Sequence, residues 1–180
     1  MDRLFILLLA GAVMISEIEI KDFNSIDASG EWRIINDGVM GGVSQSSFEI
    51  NADGTATFKG NVSPENNGGF ASVRTAIEDM DLDNYSGAIV RIKGDGKTYS
   101  LRFRTNQTFD GISYQAKFKT EPGTWREYKI PFEDFTPVWR GRFVPNQPQL
   151  TSGEIKQVGL LIADEQYGDF ELNIDWIKFY

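Results

Sequence analysis

Apolar and polar residues alternate with a period of two along most of this chain, the pattern of strands that bury one face and expose the other. Residues 17–23, 70–75, 99–104, 112–119 and 170–179 follow it most closely. Residues 155–163 are almost continuously apolar, as a strand at the centre of a sheet would be. Residues 32–35, 43–50, 55–62, 88–93 and 125–130 complete the predicted strands. Turn chemistry punctuates the series. Asn51-Ala52-Asp53-Gly54 and Gly94-Asp95-Gly96-Lys97 predict hairpins, and Glu121-Pro122-Gly123-Thr124 predicts a further turn. Residues 132–153 keep neither period and carry three prolines, which marks a functional or mobile segment. The pattern predicts an all-β sandwich or barrel, with its first and last strands paired or adjacent and with Trp32 and Trp176 in the core.

The N-terminal residues break this rhythm. Residues 4–15 form one apolar run, preceded by Asp2 and Arg3. As a helix it would reach only about 18 Å, short of a bilayer core. Ala10-Gly11-Ala12 supplies the small residues of a cleavage site, so the reading is a signal peptide. Residues 1–16 are then an apolar leader and 17–180 a single β-sandwich domain. The expected location is exported, periplasmic or membrane-associated, with an apolar N-terminal element of a cytoplasmic protein as the alternative.

Charge and composition narrow the chemistry. The chain has 26 acidic and 18 basic residues, a net charge of −8, so nucleic acid is not expected as a partner. Histidine and cysteine are both absent. That excludes serine–histidine triads, thiolate zinc sites and cysteine nucleophiles. Carboxylate-only chemistry survives, and Asp164-Glu165 could be offered for it, but a glycosidase needs two carboxyl groups across a cleft. Asp79, Asp81 and Asp83 alternate without the spacing of a calcium loop. Asp22 and Asp175 could share a calcium ion if the terminal strands pair. No catalytic residue, metal or cofactor is expected.

The densest unusual sequence is Asn36-Asp37-Gly38-Val39-Met40-Gly41-Gly42-Val43-Ser44 after Trp32. Its glycines do not follow the spacing of a dinucleotide fingerprint, and no Lys-Ser/Thr follows as in a phosphate loop. The stretch is either a tight corner between strands or a surface where a partner meets bare backbone. Asn67-Gly68-Gly69-Phe70 is likewise a turn or a loop exposing amides, and Arg74 follows mid-strand. Trp139-Arg140-Gly141-Arg142 lies in the unpatterned segment, as a partner-binding element or as a lid over a sheet edge.

These motifs together resemble the complex I intermediate-associated protein 30 family. Further matches follow in order at Gly94-Asp95-Gly96, Trp125 with Pro131-Phe132, Arg140-Gly141-Arg142, Gly159-Leu160, Ile162-Ala163-Asp164 and Ile174-Asp175. The resemblance implies a jelly-roll β-sandwich of the galactose-binding-like type. It also implies a non-catalytic protein-binding module, an assembly factor or chaperone for respiratory complex I (NADH:ubiquinone oxidoreductase). The expected partner is a protein client, a membrane-complex subunit or assembly intermediate, engaged by a monomer. The expected contact residues are Asp37, Met40, Gly41, Asn67, Gly69, Phe70, Arg74, Trp139, Arg140 and Arg142. The alternative is a carbohydrate-binding module of an exported protein, with a sugar stacked on Trp139 or Tyr167.

Overall fold

The computed structural model describes residues 16–24, 32–78 and 80–180. The apolar leader therefore lies outside the described residues, as does Asp79. The strands are β1 (Ile18–Lys21), β2 (Arg33–Ile34), β3 (Gln45–Ile50), β4 (Ala56–Val62), β5 (Ala71–Ala76), β6 (Gly87–Lys93) and β7 (Thr98–Arg104). They continue as β8 (Ser113–Lys119), β9 (Trp125–Pro131), β10 (Thr136–Trp139), β11 (Arg142–Phe143), β12 (Gln157–Ile162) and β13 (Gly168–Phe179). One sheet runs β3-β4-β13-β6-β9, with β1 also on β13; the other runs β11-β10-β8-β7-β12-β5-β2. Every strand pair is antiparallel. The chain is a jelly-roll β-sandwich, as the alternating pattern and the resemblance both anticipate.

The core lies between the sheets and is built from the inward half of each alternation. Val73, Leu160, Leu101 and Ala116 form one cross-strand row, all buried. Phe132 and Phe135 from the unpatterned segment close one end of the core against Phe103 and Phe179, with ring centroids 5.1–6.0 Å apart. Beside the edge strands β2 and β3, Trp32 stacks on Phe48 at 4.6 Å. The first and last strands do pair, Ile18 opposite Phe179.

Three expectations need correction. Trp176 is not in the core, because β13 carries a bulge between Ile174 and Trp176. Phe170, Leu172 and Ile174 point inward, then Ile177 and Phe179 do so one step out of phase, leaving Trp176 half-buried beneath Lys178. Residues 94–97 are not a hairpin either. They carry the chain from β6 in one sheet to β7 in the other, and Gly94 packs where a Cβ would strike Thr120. Finally, residues 132–153 contain a short hairpin, β10–β11, turned at Arg140 and Gly141, both with positive φ.

Candidate functional site

The outward face of the seven-stranded sheet carries a groove of about 540 Å³. Its floor follows from the register. Arg33, Arg74, Gly159, Arg102, Gln115 and Thr136 lie directly opposite one another across β2, β5, β12, β7, β8 and β10. Cross-strand partners share a face, so the two arginines flanking Gly159 point the same way. Gly159 has no room for a side chain, since a Cβ would lie 2.7 Å from the Val73 carbonyl and 2.8 Å from Arg74 Cβ. Arg104, two residues beyond Arg102 and opposite Gln157, shares that face.

The wall at one end is built by the two glycine motifs, and one carboxylate joins them. Asp37 is 1% exposed. It accepts hydrogen bonds from Ser44 N (2.9 Å), the Ser44 hydroxyl, Gly69 N (2.6 Å) and Phe70 N (3.3 Å). A Cβ on Gly42 would come 2.4 Å from the Asp37 carboxyl carbon, and one on Gly68 2.5 Å from its oxygen. One glycine of each motif, Gly42 and Gly68, thus leaves the space that the carboxylate occupies. Burial pushes the Asp37 carboxyl up, but the donors from Ser44, Gly69 and Phe70 outweigh it and hold the group below its ordinary 3.8. The helical turn Asp37–Met40 then presents Val39 and Met40 outward, 62% and 63% exposed.

The opposite wall is the β7–β8 loop, residues 105–112, clasped by donors from the sheet. Arg74 donates to the Phe109 carbonyl (2.6 Å), Arg104 to that of Gly111 (3.0 Å), and Gln157 to that of Asn106 (2.7 Å). The Arg74 guanidinium also lies 5.0 Å from the Phe109 ring. Asp110 reaches the β10–β11 hairpin, accepting from Trp139 Nε1 (3.1 Å) and Arg140 (2.7 Å). Those bonds, Arg140's first, bring its carboxyl down to about 2.

The floor is electrostatically unbalanced. Burial, and then the neighbouring guanidiniums, lower Arg102 and Arg74 to about 10 each, and burial lowers Arg104. None of the three has an ion pair among the described residues. Arg102 donates to the Ser113 hydroxyl, yet its Nε is buried without a partner.

Of the expected contact residues, Met40, Asn67, Gly69, Phe70, Arg74 and Arg140 line this one groove. Asp37 is used up inside the wall, and Gly41 ends the helical turn without lining the groove. Trp139 and Arg142 face each other on the exposed edge hairpin, outside the lining. Sequence reasoning did not assign Arg102, Arg104, Phe109, Asp110, Gln157 or Gly159 to the site. The basic face of β7 was the available signal for the first two. Among the described residues no cluster of acidic side chains could hold a metal. Asp175 pairs with Arg91 (3.3 Å) and Asp22 accepts from Asn24 (2.9 Å); Asp164 pairs with Lys117 (2.7 Å).

Residues 21–174 match the family described as complex I intermediate-associated protein 30. A Caenorhabditis elegans relative named "Probable complex I intermediate-associated protein 30, mitochondrial" is 29% identical over 153 residues, 73% of this chain and 44% of the relative. The Drosophila melanogaster protein named "Complex I intermediate-associated protein 30, mitochondrial" is 26% identical over 178 residues, 87% of this chain and 60% of the relative. The chain spans about half the length of these curated relatives. Among solved structures, a family 11 carbohydrate-binding module from Clostridium thermocellum, in complex with a β-1,3-1,4-mixed-linked tetrasaccharide, superposes with a TM-score of 0.68. It is 18% identical, with 91% of this chain and 94% of the module covered, and the likeness shows the fold alone. The expectation of an exported or periplasmic protein is overturned, because the named relatives are mitochondrial proteins. With most of its length matched and both glycine motifs locked on one aspartate, the chain belongs to the complex I intermediate-associated protein 30 family.

Proposed function

We propose that this chain is a non-catalytic client-binding module acting as an assembly factor for respiratory complex I, and that the groove on the seven-stranded sheet receives the client. The curated relatives' names support the choice of complex, and the exposed apolar groups around the groove support the choice of surface. The observation that carries the reading is convergence: the two motifs most distinctive in the sequence meet at Asp37 to build one wall of the groove. That wall exposes Val39 and Met40, and the facing wall exposes Phe109 at 60%. Large apolar groups exposed on opposing walls are anchors in search of a partner.

The mechanism is capture. The sheet supplies a preorganised floor, the clasped loops hold the anchors in place, and a client segment gains affinity by covering them. A sugar ligand has only the shared fold in its favour, since neither Trp139 nor Tyr167 lines the groove. The test is co-purification of complex I assembly intermediates from solubilised mitochondrial membranes with wild-type protein and with Met40→Ala/Phe109→Ala. The double variant should recover at most about a tenth of the wild-type yield, as loss of two interface anchors implies. Equal recovery would place the client elsewhere.

A further inference from the structure

We propose that the groove floor is an anion site, in which Arg74, Arg102 and Arg104 take the side-chain carboxylates of an acidic segment of the client. The inference rests on the client-binding reading above and gives the client segment its chemistry.

Three guanidiniums share one face of adjoining strands, and none is neutralised among the described residues. Burying cations without counter-charges is costly, and a bound anion would supply the missing charge. The nearest carboxylate does not fill that role. Asp110 acts on Arg74 and Arg104 from a distance, but its oxygens are bonded to Trp139, Arg140 and the Gly111 amide. Arg102 feels no carboxylate, and its buried Nε is the side-chain polar atom left without a partner among the described residues.

The spacing favours a polypeptide. Arg102 and Arg104 are i and i+2 on β7, about 6.7 Å apart along the strand, which is also the same-face repeat of an extended peptide. Acidic residues at i and i+2 of a client strand would meet the two guanidiniums in step, each as a planar fork-to-carboxylate contact. Apolar residues on the same face of the client, two positions to either side of the acidic pair, would meet Val39 and Met40 on one wall and Phe109 on the other.

Fluorescence anisotropy on the full chain tests this. The probe is a labelled twelve-residue peptide with Leu-Ser-Glu-Ser-Glu-Ser-Phe at its centre, beside its Gln counterpart. Oligogalacturonate and phosphatidylserine vesicles serve as competing anion sources. The acidic peptide should bind at least tenfold tighter than the amide version. Arg102→Gln and Arg104→Gln should each remove about tenfold of that preference, and Lys59→Gln, outside the groove, should remove none. Melting curves accompany each variant; if Arg102→Gln fails to fold, Arg104→Gln and Arg74→Gln carry the test. Equal binding of the two peptides, unchanged binding by the arginine variants, or binding only to oligogalacturonate or vesicles would overturn the proposal. Client recovery separates the two readings. Wild-type recovery with Arg104→Gln beside a loss with Met40→Ala/Phe109→Ala would refute the anion site alone. Peptide binding with no intermediate recovered would refute the assembly role alone.

Discussion

Asp37 and Asp110 each tie down a loop at one end of the groove, by opposite means. Asp37 is buried and satisfied by neutral donors, three of them backbone amides from two separate motifs. Asp110 is exposed, on a side chain 48% accessible, and is held by a guanidinium and an indole. Removing the first strands several donors away from water, whereas removing the second returns its partners to solvent. Asp37 is therefore part of the fold, whereas Asp110 only links the clasped β7–β8 loop to the β10–β11 hairpin at the surface.

The comparison breaks first at Asp37. Asp37→Ala should cost about 3 kcal/mol or more in urea denaturation, since each stranded buried donor costs about 1–3 kcal/mol. A loss below about 1 kcal/mol would mean that the motifs are not held together by this carboxylate. The same group sets an acid limb. Its folded value lies below the ordinary 3.8, so its contribution is fully present above that pH and is lost as pH falls through the folded value. Wild type should lose stability as pH falls below 3.8, and Asp37→Asn should show a shallower limb from a lower starting stability. Asp110→Ala is the smallest effect, within about 1 kcal/mol, as for exposed charged pairs. Its signature is local: Trp139 fluorescence should change and client affinity should fall while the melting curve barely moves.

Much of this was legible in the chain. Period-two alternation located the long strands and the pairing of the termini, and the glycine motifs pointed to one groove wall. Trp176 was misread because a bulge shifts the phase of β13, and nothing in the residues 174–176 announces an extra position. Residues 94–97 carry hairpin chemistry, yet they join strands of different sheets; local turn residues do not encode which sheet comes next. The β10–β11 hairpin was too short for periodicity to register. At the site, Arg102 and Arg104 were visible as a basic face, but their meeting with Arg74 over Gly159 depends on strand order across distant segments. Asp37 was among the expected contact residues, yet it is buried in the wall. The hint was Gly42 and Gly68, where a side chain would collide with the carboxylate.

The central claim, that the seven-stranded face is the working surface, is tested most directly by site-specific photo-crosslinking during complex I assembly. A photoreactive residue is placed at Met40 or Phe109 in the groove, and at Glu127 on β9 of the opposite sheet. Crosslinks to an assembly intermediate from Met40 and Phe109, with none from Glu127, are the predicted result. Crosslinks from Glu127 with silence at both groove positions would contradict the account.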